Sequence, residues 1–396
     1  MNWLDRYAAW AAAGGEATEE AHRWGGYAVM AGAIGREVCF THGPRTVGAH
    51  FYLMLVSGAQ SGQAEEVARL ARRFALRAYA REFVHHATLE GFFEQMREPW
   101  GTLLCLDKEN WRHWSRRDYG ALLTAWAEDP DEYIYRRIGN WFQIRRPRLT
   151  ILAHTDRPHA QCLMQARGLI EKFLFAEVEE APRRWPLPPP SAKVERRLQA
   201  ELEDLDAKAL HEGMTFEAVK GPYEEWARAF ESREMTPLRA AQTRRFQLSC
   251  LKLACFEQIA QDGRAAVRPE ALQRAIVSIE QAAHAFDRLE EDSRGADDPD
   301  LEKLREIVES KGMIEMPVLR RKLRRKNAEL LALAEDLQCQ GLIEIHKRPP
   351  QCRGGHTVWE FTWIARRSVQ REDEPVVIGS NGGLATSVHQ VSKALT

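Results

Sequence analysis

Six consecutive residues, Phe51-Tyr-Leu-Met-Leu-Val56, are apolar or aromatic, and they run straight into the small-residue turn Ser57-Gly-Ala-Gln-Ser-Gly62. Gln63 and Ala64 then open an amphipathic helix that carries Glu65 and Glu66 in its first turn and continues through Arg72 and Arg73. A continuous apolar run of this length, closed by a Gly/Ser turn and a helix, is how a buried parallel-sheet strand feeds a phosphate-binding loop. The stretch therefore predicts an α/β core.

The loop has the shape of a phosphate-binding P-loop without its chemistry. When Gly62 takes the second glycine of Gly-x4-Gly-Lys-Ser/Thr, Ser57 replaces the first glycine, Gln63 the lysine and Ala64 the magnesium-binding hydroxyl. Gly58 and Ser61 lie inside the same turn. The lysine supplies a cation to the β/γ-phosphates and the hydroxyl a metal ligand, so Gln63 and Ala64 remove one charge and one ligand. Glu65 and Glu66 are expected to satisfy the positive end of the helix themselves and to oppose a polyanion. No lysine precedes Lys108. A strand–turn–helix that never bound nucleotide explains the same residues.

Further strands converge on this loop. Thr102-Leu-Leu-Cys-Leu-Asp107 predicts a buried strand that delivers Asp107 to its C-terminal edge, with Glu109 two residues on. A P-loop ATPase uses such an aspartate to orient magnesium and a neighbouring glutamate to polarise water. An aspartate that merely caps the next segment is the alternative. Leu149-Thr-Ile-Leu-Ala-His154 predicts another buried strand, ending in His154, Thr155 and Asp156, and Gly168–Phe175 leads into a last one. With a short strand expected over 82–86, strands near 51, 83, 103, 150 and 173 separated by helices predict a sheet whose ligand edge gathers Ser57 to Gly62, Asp107 and His154 to Asp156. His85 and His86 are adjacent and would point to opposite faces of a strand, which argues against a metal pair.

Elsewhere the pattern is helical or ribbon-like. Trp3, Leu4, Tyr7 and Trp10 share one helical face, and a second helix from Glu16 carries a small-residue stretch, Ala28 to Gly35, suited to close packing on a sheet. Residues 132–146 alternate around Gly139-Asn140, a hairpin signal. Arg136, Arg137, Arg145 and Arg146 there interleave with Tyr133, Tyr135, Trp141 and Phe142. Such a ribbon either tracks a nucleic-acid backbone or guards an edge from aggregation. Ala181–Pro190 is a stiff proline-rich linker, and residues 192–290 read as helical.

Residues 301–367 predict three helices followed by two strands, the order of a winged helix. They carry 14 Lys and Arg against 9 Asp and Glu, a net of +5 in a chain whose overall formal charge is −1. The cations gather in Arg320, Arg321, Lys322, Arg324, Arg325 and Lys326, and again at Lys347 and Arg348. Contact with nucleic acid, DNA above all, is the expectation. Glu329, Glu335 and Asp336 in the third helix favour phosphate contact over base reading. A winged helix that binds protein through a solvated basic face is the alternative. The expected units are a helical cap at 1–40, the sheet core at 41–180, a helical domain at 191–290, the winged helix at 301–367 and a disordered tail at 368–396.

Seven scattered cysteines without a Cys-x-x-Cys fit a reducing cytoplasm and no zinc site. No apolar run approaches the roughly 20 residues that span a bilayer, so no membrane partner is expected.

In this order the stretches resemble the RecA-like, helicase-related P-loop family of phage and plasmid replication proteins, often encoded beside a primase. The likeness covers about residues 3–290. It rests on Trp3-Leu-Asp-Arg-Tyr7 with Glu16-Ala and His22-Arg-Trp24, on Phe51–Val56 into the loop, and on Leu104-Cys-Leu-Asp107. Pro147–Leu152, Gly168–Leu174 and Arg245–Ala254 complete it. The resemblance implies an ATP- and magnesium-dependent DNA motor or loader that assembles with copies of itself or another replication protein. Asp107 matches the metal-orienting acid, whereas Gln63 and Ala64 do not match the lysine and hydroxyl. Lys172 stands where members tend to carry an arginine, a candidate finger onto a neighbour's γ-phosphate, and keeps the charge without the bidentate fork. These departures predict a RecA-like protein whose nucleotide site has degenerated and no longer hydrolyses ATP. A working ATPase or helicase with an atypical loop, and a winged-helix regulator of transcription, are the rivals.

Overall fold

The computed structural model describes residues 1–34, 37–58, 62–78, 89–97, 103–107, 117–128, 130, 132–137, 140–165, 169–179, 190–209, 213–233, 235, 237–295, 299–324, 326–339, 342–348 and 358–363. The chain opens with α1 (Trp3–Ala12), started by a reciprocal cap: the Asn2 side chain accepts from the Asp5 backbone N–H, and the Asp5 carboxylate accepts from that of Asn2. Its aromatic face is buried, and Phe74 packs edge-on against Trp3, Tyr7 and Trp10. The next helix, α2 (Glu19–Ile34), uses its small residues as expected. A Cβ on Gly32 would stand 2.8 Å from the Leu103 side chain, so only glycine lets this helix sit that close to the sheet.

A two-stranded hairpin, β1 (Cys39–His42) and β2 (Arg45–Gly48), leads to β3 (Tyr52–Ser57), all six residues of which are buried. Then come α3 (Gln63–Ala78), α4 (Leu89–Arg97), β4 (Leu103–Leu106), α5 (Arg117–Trp126), the ribbon β5 (Glu132–Arg137) and β6 (Asn140–Arg145), β7 (Thr150–Asp156), α6 (Arg157–Gln165) and β8 (Phe173–Val178). Strands β4, β7, β3 and β8, in that order, make one parallel sheet. The chain moves from β3 toward β4 on one side, and from β7 past β3 to β8 on the other. Right-handed crossovers in opposite directions put α3 and α6 on opposite faces. Accordingly α3 packs with α2, and α6 with the long helix Pro269–Gly295. The strand expected at 82–86 lies outside the described residues.

Four helices follow: α7 (Ala192–Ala209), α8 (Lys220–Glu231), α9 (Pro237–Asp262) and α10 (Pro269–Gly295). Helix α9 reaches the N-terminal end of β3, where the Lys252 ammonium donates to the His50 carbonyl at 2.7 Å and Phe256 meets Phe51. Buried apolar side chains form one continuous cluster from Trp3 to Leu289, so the segments expected at 1–40, 41–180 and 191–290 contribute to a single core.

A second, smaller core holds the remainder together. It comprises α11 (Pro299–Lys311), β9 (Met313–Glu315), α12 (Met316–Leu323), α13 (Asn327–Cys339), β10 (Ile343–Arg348) and β11 (Val358–Trp363). The three strands are antiparallel in the order β10–β11–β9. Two strands were expected here; β9 is the third, and its three residues are too short to show alternation. The tail expected to be disordered, 368–396, lies outside the described residues.

Candidate functional site

Parallel strands send their C-terminal ends to one edge, and β3 lines up Ser57 with Asp156 of β7 and Val178 of β8. Ser57, at the place of the first glycine, is buried, and Gly58 beyond it is exposed. Ser61 lies outside the described residues. Gly62 closes the turn at φ +71°, a conformation that costs a side-chain-bearing residue about 1–2 kcal/mol. A Cβ there would meet nothing within 4 Å, so backbone conformation alone demands the glycine.

Helix α3 begins immediately after it. Gln63 and Ala64, at the lysine and hydroxyl positions, are 2% and 1% exposed. Glu65 is exposed. Glu66 lies with it in the first turn of α3, as expected, and makes a further attachment. Its carboxylate accepts the Glu16 backbone N–H at 3.0 and 3.2 Å, tying the first turn of α3 to the connection between α1 and α2.

Asp107 stands half-buried just past β4. His154 is half-buried on β7, the strand between β4 and β3. Burial lowers the His154 pKa, while the Asp107 and Glu65 carboxylates act on it in the opposite sense, so all three groups share one electrostatic neighbourhood. The structure thus brings the loop, Asp107 and His154 to the same edge. Glu109 lies outside the described residues. Asp156 accepts the His159 backbone N–H at 2.9 Å and caps α6.

Arg157 and Arg288, near this edge, are both paired. Arg157 pairs with Asp292 at 2.8 Å and with Glu177 at 3.6 Å, and Arg288 also pairs with Glu177. Lys172 is at the other edge of the sheet, in the short helical turn Leu169–Lys172 that precedes β8. It forms an ion pair with Glu128, which Arg245 also holds at 3.1 Å. Burial pushes the Glu128 carboxyl up, but the Lys172 hydrogen bond and the two positive charges bring it below its ordinary value. Among the described residues no group of three or more His, Cys, Asp or Glu side chains is placed to hold a metal ion.

The basic residues of the smaller unit are assembled differently. Arg320, Arg321 and Lys322 occupy the last turn of α12, and Arg324 and Lys326 follow; all five are exposed. Arg325 lies outside the described residues. Lys347 and Arg348 pair through their backbones with Trp359 and Val358 on β11. Helix α13 lies against α6 of the larger unit. No described helix is long and apolar enough to cross a membrane. Neither a protein-family model nor a curated protein matches this sequence.

Proposed function

We propose that this chain is a nucleic-acid-associated, RecA-like replication protein of a mobile element, with a degenerate nucleotide site, acting through binding and assembly rather than ATP hydrolysis. The observation that carries the reading is the order of the parallel sheet. The loop strand β3 and the Asp107 strand β4 are separated only by β7, and both open onto the edge where α3 begins at a left-handed glycine. A topological switch in a parallel sheet is where such folds take their ligands. The three-helix, three-strand unit with its basic turn supports the winged-helix part of the reading.

Magnesium-bound triphosphate does not fit the donors at this edge. The lysine position holds a buried amide and the hydroxyl position a buried methyl, while Glu65 and Asp107 add negative charge beside His154. No hydrolytic step is assigned. Calorimetric titration with ATP, with and without magnesium, and a radiolabelled turnover assay test this. The expected result is no magnesium-dependent turnover in the wild-type chain. Turnover abolished by Asp107→Ala would establish a working ATPase instead.

A further inference from the structure

The smaller unit carries an exposed cluster of positive charge at a turn in the left-handed conformation. Arg320, Arg321, Lys322, Arg324 and Lys326 fall within seven residues, and among the described residues none of them has an ion-pair partner. Arg324 ends α12 in the left-handed region at φ 53°, where its N–H donates to the Arg320 carbonyl at 2.9 Å. Glycine takes this position without strain, so an arginine there costs some stability, as it does at Arg146, which shares the conformation at φ 49°. The left-handed turn and the clustered charge coincide at one place. Five clustered cations are complementary to a polyanion of high charge density, and duplex DNA carries one charge per ~1.7 Å of its axis.

The neighbouring helix is differently placed. In a helix-turn-helix arrangement the helix after the turn enters the major groove. Here that helix, α13, rests on α6 of the sheet unit. Its buried residues Leu330, Ala334 and Leu337 belong to the smaller core, which is separate from the core under α6. Contact with α6 thus takes up part of the α13 surface besides the face that builds the smaller core.

We infer that the end of α12 and the turn after it, centred on Arg324, grip the phosphate backbone of a DNA duplex while α13 stays seated on α6 and reads no bases. This rests on the nucleic-acid reading above and names its surface and mode. Phosphate contacts of this kind position a protein without conveying sequence.

Fluorescence anisotropy of the full chain with two labelled duplexes of unrelated sequence, and with a single strand, tests it across a salt series. The two duplexes are expected to bind within about threefold of each other. If all five cations contact phosphate, log K falls against log salt with a slope of about −4.5, or about −3.5 for the single strand. Arg324→Gly is expected to shallow the duplex slope by about 0.9 and, by relieving the left-handed strain, to raise the unfolding midpoint. Arg320→Glu with Arg321→Glu, both at exposed positions, should reduce affinity at least tenfold without lowering that midpoint. Amide exchange in 157–165 is expected to be unchanged by saturating duplex. Failure of the wild-type chain to bind any of the three probes at low salt defeats the nucleic-acid reading itself. Binding that survives the double charge reversal, prefers one duplex tenfold or more, favours the single strand, or accelerates exchange in 157–165 overturns the α12 assignment and leaves the broader reading standing.

Discussion

His22 shows how one buried side chain ties stability to pH. It is fully buried on α2, and among the described residues neither ring nitrogen has a hydrogen-bond partner. The imidazolium would therefore lose its hydration with nothing in return, and burial pushes the pKa down to about 4. A histidine depressed in the folded state binds its proton more readily in the unfolded one. Its contribution to stability is complete above the ordinary value near 6.5 and drains away as pH falls toward 4. At pH 5 the loss amounts to about 2 kcal/mol. Urea unfolding at pH 7 and pH 5 measures it: the wild-type chain should lose more between the two than His22→Leu, by about that amount. His154, also lowered by burial, is expected to leave a residual slope in the variant. Equal losses would mean that His22 finds a proton acceptor after all.

At the scale of elements, Glu257 joins four helices. From near the C-terminal end of α9 its fully buried carboxylate accepts from the Asn2 side chain at 3.0 Å, from Arg23 at 2.5 Å and from the Tyr27 hydroxyl. Arg274 of α10 lies 3.8 Å from it, and Asp5 of α1 pairs with both arginines. Burial and the adjacent carboxylate raise the Tyr27 pKa far above its ordinary range, so the hydroxyl remains a donor at neutral pH. Glu257→Ala leaves Arg23 with Asp5 alone and takes the acceptor from the buried Asn2 amide and Tyr27 hydroxyl, a loss of about 2–4 kcal/mol. A denaturant midpoint within 1 kcal/mol of wild type would show that water fills the gap. None of this was legible in the sequence, where Glu257 is one acid in a helical stripe more than 230 residues from Arg23. Elements that generate their own signal were legible: β3, β7 and β8 are continuous apolar runs, and α1 to α3 show amphipathic periodicity. The hairpin β1–β2 and the strand β9 exist because partners complete them, and segments of three or four residues hold too little pattern to announce it. The candidate edge divided in the same way. Gly62 declared its turn and Asp107 its strand end, while the attachment of Glu66 to residue 16 depends on a contact that only the folded chain creates.

For the whole molecule, the decisive feature is that burial is divided. One core takes in the parallel sheet and every helix from α1 to α10, and a second is confined to residues 304–361. Helix α13 touches α6 across the boundary without its buried apolar residues joining the larger cluster. Cooperative unfolding follows continuous apolar packing, so two separate cores predict two transitions rather than one. The smaller core removes much less apolar surface from water, and a unit of that size is only marginally stable by itself. Scanning calorimetry should therefore show a small transition at lower temperature, followed by a larger one. Ending the chain after Gly295, where α10 finishes, should delete the first and leave the second within a few degrees of its original position. That outcome would place the charged turn on a unit that can lose its own fold while the sheet edge keeps its structure, which is what separate duties for the two surfaces require. A single transition in the full chain, lowered by more than about 5 °C on truncation, would instead mean that the contact between α13 and α6 is a strong interface binding both units into one cooperative body.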